Sequence, residues 1–338
     1  MLTVLALLIL PIGGCPGIEV LSEEPCSIPA EGWSPLHLDG FEAGAFGLPG
    51  VSASRFIYSP PVSNNWAAWT MEASPDGAIV CAEADLSEVP VITEYQPAGG
   101  SGCQALACVS GADTLWTCIL DDTDEFENGP VVAGSQGSGY LVSSRPDCNG
   151  DWTRIVRITP EGEAVFSALL TSIYLLDLEE PVGEIGPSVS SLGMTSSGDV
   201  IVAGRVSQWF TSPEEWFVCL LDGETGEPVW KATGAGMGLA GLNQVTEAPS
   251  GALIGVGATS APGGEQPWVW GATYPLLVVI EPDGTLIEEA VVGLVSADEL
   301  TGIAATDVPG VFLTAGSDTD QGVTVLAWLG IAAGTPGL

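Results

Sequence analysis

Two stretches rich in aromatic residues are the part of this sequence best suited to binding another molecule. They occupy residues 207–216 and 267–274, and their aromatic side chains are Trp209, Phe210, Trp216, Trp268, Trp270 and Tyr274. Tryptophan and tyrosine anchor protein interfaces, and sugars stack on their rings. We therefore predict a binding face for a protein or a glycan. Trp209 and Trp268 are its best candidates, because Trp216 and Trp270 could equally pack as core between sheets.

Acidic residues are the other source of chemistry. The chain has 43 Asp and Glu residues, which offer many carboxylate pairs of the kind that glycoside hydrolases use as acid and base. Other catalytic sets are poorly supplied, since His37 is the only histidine, Lys231 is the only lysine and no phosphate-binding glycine loop occurs. The sequence therefore predicts a protein that is not an enzyme, with an extracellular glycoside hydrolase as the alternative.

One segment resembles the start of a calcium-binding loop. Asp147, Asn149 and Asp151 provide oxygen donors at alternate positions, but Trp152 stands where such loops have glycine and Ile158 where they have a bidentate glutamate. An ordinary turn rich in Asp and Asn is the favoured interpretation. We expect no cofactor, with calcium at these three residues as the alternative.

The amino terminus looks like an export signal. Leu2 to Leu10 is apolar but too short to span a membrane. Ile12-Gly13-Gly14-Cys15 resembles a bacterial lipobox, which implies that Cys15 becomes the acylated amino terminus, although no Lys or Arg precedes it. The expected location is the cell envelope, with the lipid bilayer as a partner through Cys15 and secretion as the alternative.

The cysteine count also favours export. Eight cysteines are present, so seven remain without Cys15 and at least one is free or paired between molecules. Cys219 lies in an apolar strand pattern and is predicted to be a buried thiol. Cys103 with Cys108, and Cys81 with Cys118, are open pairing alternatives.

Charge excludes one class of partner. The formal net charge is −37, with only six Lys and Arg residues. Nucleic acid is not expected to bind, because phosphate binding needs clustered cations.

A turn followed by an apolar strand recurs along the chain. The turn glycines repeat about every 60 residues and are Gly77, Gly139, Gly198, Gly251 and Gly310. A second turn recurs within the units, at Gly162, Gly223 and Gly284. Units of this kind have four short strands, and one sheet cannot bury both of its faces alone. Repeated sheets packed side by side are favoured over a β-sandwich.

Asp222-Gly223-Glu224-Thr225-Gly226-Glu227-Pro228-Val229-Trp230 resembles the D-x-x-T-G-x-x-x-W repeat of quinoprotein-type β-propellers. The resemblance implies an all-β propeller, here of five or six four-stranded blades, in which Trp230 docks against the next blade. The units at Gly162 and Gly284 have Phe166 and Ile287 nearby instead of the tryptophan. It does not imply bound quinone, because the vicinal cysteine pair of the quinoprotein dehydrogenases is absent from the sequence.

These observations predict a signal peptide over residues 1–14, a tether over 15–33 and a propeller over 34–332. The last unit stops without its closing strand, and the stretch Leu36 to Phe46 is predicted to supply it and close the ring. The predicted function is that of a non-catalytic, lipid-anchored envelope scaffold that binds a protein or glycan.

Overall fold

The computed structural model describes residues 18–26, 56–58, 69–73, 79–83, 89–95, 103–110, 113–121, 126–133, 140–146, 152–159, 161–179, 186–207, 214–236, 238–263, 266–292, 294, 298–306, 308–318 and 323–331. These residues form 22 strands and one short helix. The strands are β1 Ile18–Cys26, β2 Phe56–Tyr58, β3 Trp69–Ala73, β4 Ile79–Glu83, β5 Val89–Tyr95, β6 Cys103–Ser110, β7 Asp113–Asp121, β8 Phe126–Ala133, β9 Tyr140–Pro146, β10 Trp152–Ile158, β11 Ala164–Thr171, β12 Ser188–Met194, β13 Val200–Val206, β14 Glu215–Leu221, β15 Pro228–Gly234, β16 Leu239–Glu247, β17 Leu253–Gly263, β18 Gln266–Ile280, β19 Leu286–Val291, β20 Glu299–Ala305, β21 Val311–Asp318 and β22 Val323–Ile331. The helix α1 is Ser172–Leu176.

The strands make six antiparallel sheets in chain order, which are the blades of a β-propeller. Blade 1 is β2–β4 and blade 2 is β5–β7, each with three described strands. Blades 3, 4 and 5 are β8–β11, β12–β15 and β16–β19, with four strands each, and blade 6 is β20–β22 completed by β1. The expected all-β propeller of five or six blades is confirmed, and the described strands give six.

An N-terminal strand completes the last blade, as predicted, but it is not the strand that was expected. β1 pairs antiparallel with β22, so that Ile18 lies opposite Ile331 and Cys26 opposite Thr324. The expectation that Leu36 to Phe46 supplies this strand is wrong. Residues 18–26, which lie within the stretch predicted as a tether, form the strand instead. Apolar and polar residues alternate only weakly in Ile18–Cys26. This segment forms a strand because it pairs with the free edge of β22.

Among the residues whose burial the structure describes, blades 3 to 6 pack face to face through three apolar layers. Alternate residues of β14 enter two of them: Phe217 and Cys219 face blade 3, while Trp216 and Val218 face blade 5. A third layer lies between blades 5 and 6. Because both faces of a blade are covered, its central strands read as continuous apolar runs and not as alternating ones.

Where the structure describes the two predicted sets of turns, their glycines have the positive φ that such turns need, with one exception. Gly77 and Gly139 lie outside the described residues. The backbone φ is +95° at Gly198, +89° at Gly251 and +75° at Gly310 in the first set, and +90° at Gly162 and Gly284 in the second. In blade 4 the residue with positive φ is Gly226 and not the expected Gly223. The turn there is one residue longer than those at Gly162 and Gly284. Its closing hydrogen bond runs from Gly226 N–H to the carbonyl of Asp222, four residues earlier, at 2.9 Å.

Aromatic rings dock across the blade boundaries at these turns. The Trp230 indole N–H donates to the carbonyl of Pro282 in blade 5 at 2.9 Å, and its ring lies against Gly284. Phe166 of blade 3 lies in the same way against Gly226 of blade 4. The docking that the quinoprotein-type repeat implied for Trp230 is therefore present, and Phe166 makes the equivalent contact one blade earlier.

The structure also bears on one disulfide alternative. Cys103 and Cys108 lie on the same strand, β6. Five steps along an extended strand span about 17 Å, whereas disulfide-bonded residues have Cα atoms within about 7 Å. These two cysteines therefore do not pair with each other.

Candidate functional site

The two ends of the blades differ, and we name them for what they carry. The turn face holds the short turns around Gly198, Gly251 and Gly310 together with those around Gly162, Gly226 and Gly284. The hairpin face is the opposite end, where β13 leads to β14 and β17 leads to β18. All six residues of the predicted aromatic binding face belong to these two connections or to the strands that continue them.

Among the residues that the structure describes, the β17–β18 hairpin has the longest strands of the hairpin face. Its pairing runs from Leu253 opposite Ile280 to Gly263 opposite Gln266, with register shifts on both sides of Pro262. Trp268, Trp270 and Tyr274 were expected in a loop, but all three lie on β18. The run Val-Trp-Gly-Ala-Thr-Tyr favours β-structure because its aromatic and β-branched residues suit a pleated strand. Tyr274 lies opposite Thr259 and is 39% exposed.

Trp216 belongs to the core and not to the binding face. Its side chain is fully buried between blades 4 and 5, against Gly234. Its indole N–H donates to Glu289 Oε1 of blade 5 at 2.9 Å. The buried N–H is thereby satisfied, and the alternative of core packing is the correct one for this residue. Trp209 and Phe210 lie outside the described residues.

Two carboxylates, Glu215 and Glu289, interact electrostatically beside Trp216, across the boundary between blades 4 and 5. Burial raises the pKa of Glu215 above its ordinary value, and the negative charge of Glu289 raises it further. A carboxyl group with a raised pKa next to a second carboxylate is the combination that an acid–base pair needs. The Glu214–Glu215 doublet is visible in the sequence, but Glu289 is distant along the chain, so nothing local could have predicted the pair.

An ion pair flanks these carboxylates on the hairpin face. Arg205 Nη1 lies 3.3 Å from Glu214 Oε2, and both side chains are partly exposed. The carbonyl of Glu214 also accepts from Ala240 N–H of blade 5 at 2.9 Å. Blades 4 and 5 thus join at this face through backbone and side-chain contacts, which fixes the positions of Glu215 and Trp216.

The only lysine of the chain has a structural role. Lys231 Nζ donates to the carbonyl of Tyr174 and lies 2.6 Å from Asp177 Oδ1, so it fastens α1 to blade 4. Its ammonium group also lies 4.7 Å from the centre of the Tyr174 ring. Asp177, which ends the helix, has φ +53°.

Cys219 is a free, buried thiol, as predicted. Burial raises its pKa to about 12, although Lys231 and a hydrogen bond with Tyr174 act in the opposite direction. The pKa of Tyr174 is also raised to about 12, by burial first and then by Cys219 and Asp177. At neutral pH the thiol is therefore protonated and does not act as a nucleophile.

Two turn-face aspartates have a lowered pKa for local reasons. Asp222 accepts hydrogen bonds from the backbone and hydroxyl of Thr225 and from the backbone of Glu224, which together lower its pKa. Asp283 is stabilised as a carboxylate in the same way, chiefly by the backbone N–H of Thr285. These groups hold turns together and are not suited to proton transfer.

Several predicted residues lie outside the described residues: Cys15, His37 and the calcium candidates Asp147, Asn149 and Asp151. Among the residues that the structure describes, no group of three or more His, Cys, Asp and Glu side chains could hold a metal ion. Within the same ranges, no helix is both long and apolar enough to cross a membrane.

The fold is similar to that of several solved structures at low sequence identity. A crystal structure of quinohemoprotein alcohol dehydrogenase from Comamonas testosteroni is similar with a TM-score of 0.34 and 12% identity, over 68% of this chain and 41% of that one. A glucose dehydrogenase is similar with a TM-score of 0.36 and 10% identity, over 94% of this chain and 100% of that one. A eukaryotic initiation factor is similar with a TM-score of 0.31 and 9% identity, over 72% of this chain and 55% of that one. No protein-family model matches the sequence, and no curated protein does.

Two expectations are corrected by these comparisons. The prediction that the chain is not an enzyme is contradicted, because two of the similar structures are dehydrogenases. The prediction of no cofactor is contradicted on the same finding. The sequence had suggested both absences because histidine, lysine and metal-ligand motifs are scarce, and scarcity of that kind does not limit what a propeller can host.

Proposed function

We propose that this protein is a lipid-anchored propeller of the cell envelope that binds a protein or a glycan through its hairpin face. The single observation that carries the proposal is the β17–β18 hairpin, in which one strand holds Trp268, Trp270 and Tyr274. Tyr274 keeps 39% of its surface exposed. Aromatic residues supply the apolar area and hydrogen-bonding tips on which interfaces depend.

The rest of the blade supports this use of the hairpin. Its strands β17 and β18 are buried against two neighbouring blades over Leu253–Ala258 and Leu276–Ile280. A binding element on a rigid support loses little conformational freedom when it binds. The export signal and Cys15 then account for the anchoring to a bilayer.

The test is a crosslinking pull-down from native membranes with the lipidated protein and with a Trp268→Ala/Tyr274→Ala variant. The partner is expected with the first and should be lost, at least about tenfold, with the second, because truncating two anchor residues costs a few kcal/mol of binding. Leu169→Ala is the matched control, since Leu169 is an exposed apolar residue of blade 3. Equal capture by all three proteins contradicts the proposal.

A second candidate is glycoside hydrolysis by Glu215 and Glu289. The specific observation is the raised pKa of Glu215 beside the Glu289 carboxylate, as a general acid requires. Incubation with envelope polysaccharides should then release reducing sugar. Glu215→Gln and Glu289→Gln should each abolish the release, whereas Glu224→Gln on the turn face should leave it unchanged. Release that survives both substitutions excludes this pair.

A further inference from the structure

We infer that the propeller is held with its turn face against the bilayer and its hairpin face directed away from it. The inference rests on the proposed lipid anchor at Cys15, and it adds the orientation of the molecule. The surface concerned is the turn face, and its partner is a lipid bilayer.

The pairing of β1 decides which end of the propeller is anchored. Ile18, the first residue of β1, lies opposite Ile331, the last residue of β22. The N–H of Ile331 donates to the carbonyl of Gly310 at 2.7 Å. Because Gly310 is one of the turn-face glycines, the chain enters the propeller at the turn face. The other end of β1, at Cys26, lies opposite Thr324 toward the hairpin face.

The distance from the anchor to this face is short. Cys15 and Ile18 are three residue steps apart, which is at most about 11 Å of extended chain. Acyl chains on Cys15 would lie in the bilayer. Ile18 would therefore be held within about 11 Å of the bilayer surface. The hairpin face is a strand length farther, about 33 Å for the 11 residues of β17.

The charges of the turn face limit the kind of lipid it tolerates. Its described acidic residues are Glu161, Glu163, Asp199, Asp222, Glu224, Glu227, Glu247, Glu281 and Asp283. Arg157 lies there too, but its guanidinium already donates to the carbonyl of Gly223. At this distance an anionic surface would repel the face, since the Debye length at physiological salt is about 8 Å. A zwitterionic bilayer is therefore the suitable partner for the test.

The experiment measures energy transfer from one fluorescent amino acid to acceptor-labelled headgroups. Lipidated full-length protein is reconstituted in phosphatidylcholine vesicles, and mass spectrometry confirms the acyl group on Cys15. The donor replaces either Ser250 on the turn face or Ala235 on the hairpin face, both exposed positions. With a short-range donor–acceptor pair, transfer should be at least about twofold higher from Ser250, because the faces lie about 25–35 Å apart.

A spacer variant provides the control. A flexible Gly-Ser insertion of about 20 residues between Gly17 and Ile18 lets the domain leave the surface and turn, so the difference should disappear. Equal transfer from both positions without the spacer, or higher transfer from Ala235, overturns the orientation while leaving the anchor intact. An unacylated Cys15 removes the anchor itself and the inference with it.

Discussion

Close contacts between aromatic rings and turn glycines join the blades at the level of single residues. A Cβ atom at Gly284 would lie 2.8 Å from the Trp230 ring, and one at Gly226 would lie 2.5 Å from the Phe166 ring. Both glycines also have positive φ, of +90° and +73°. Each position therefore needs glycine for two independent reasons, the backbone conformation and the room that the ring occupies.

Gly284→Ala should destabilise the protein much more than Gly198→Ala. Gly198 has φ +95° but no atom within 4 Å of an added Cβ, so its substitution costs only backbone strain, about 1–2 kcal/mol. Gly284→Ala adds overpacking against Trp230, about 1–3 kcal/mol more. Urea unfolding of the two variants gives the comparison. Equal losses of stability would show that the ring does not press on Gly284.

Glu215→Gln should raise the melting temperature at pH 7 and have no effect in acid. The folded-state pKa of Glu215 is raised above its usual 4.5 by burial and by Glu289. The protonated form is therefore favoured in the folded protein, and the ionised form is penalised as the pH rises through the folded pKa. Because Glu215 is partly exposed and screened, the gain at pH 7 is small, about 1–2 °C.

Below pH 4.5 wild-type Glu215 is protonated in both states, so the melting temperatures of the two proteins should converge. Glu224→Gln is the control, because Glu224 is an exposed turn residue. A gain that persists unchanged at pH 4 would contradict the assigned cause.

At the residue scale, the sequence predicts correctly those roles that depend on residues nearby in the chain. The positive-φ glycines and the buried Cys219 could be predicted because turn chemistry and strand patterns are short-range. The hydrogen bond between Trp216 and Glu289 joins two blades. It could not be predicted, because the two residues are far apart in sequence and no local pattern links them. Trp216 looked suited to a binding face for the same reason that it suits the core, namely its large apolar ring.

Two short elements hold the ring together, and both join segments that are distant in sequence. α1 is fastened to β15 by Lys231, and β1 completes the blade formed by β20–β22. The helix is capped by the Thr171 hydroxyl, which accepts from Tyr174 N–H. Five helical residues are too few to be stable alone, so α1 depends on the burial of Leu175 in the core and on the contact with Lys231.

Lys231→Met should lower stability by about 1–2 kcal/mol, because it removes charged hydrogen bonds to the carbonyl of Tyr174 and to Asp177. Its side chain is only 18% exposed. The matched control is Arg205→Met, whose ion pair with Glu214 is more exposed and should be worth at most about 1 kcal/mol. Thermal unfolding with hydrogen exchange at α1 measures both effects. Faster exchange in the Arg205 variant than in the Lys231 variant would contradict the assignment.

Removal of β1 should destroy the cooperative unfolding transition. A variant that begins at Ser27 exposes the paired edge of β22 over Val323–Ile331 and leaves blade 6 with three strands. A variant that begins at Pro16 keeps β1 and should melt like the mature protein. Calorimetry distinguishes the two. An unchanged transition without β1 would show that another segment closes the ring.

The need for a closing strand was predictable, because the last repeat unit ends early. Its position was not, since an edge strand of few apolar residues carries a weak pattern. The number of blades was uncertain for a related reason. Five turn glycines recur, but the interval from Gly77 to Gly139 contains the additional sheet β5–β7. That sheet lies between two of the recurring glycines, so counting them does not reveal it.

Across the whole molecule, the blades separate two faces with different compositions. The turn face carries tight turns and carboxylates, while the hairpin face carries the aromatic strand β18 and the Glu215–Glu289 pair. Under the proposed function, chain entry at the turn face places the lipid anchor at that end and the binding surface at the other. The formal net charge of −37 is the reason that we expect no nucleic-acid partner.

The proposed anchoring at the turn face and binding at the hairpin face are tested most directly by photo-crosslinking in the native envelope. A photoreactive amino acid is placed at Tyr274 on the hairpin face or at Ser250 on the turn face, in otherwise identical lipidated proteins. The account predicts a specific adduct with a protein or glycan from Tyr274, and lipid adducts alone from Ser250. A protein or glycan adduct from Ser250 with none from Tyr274 would contradict it.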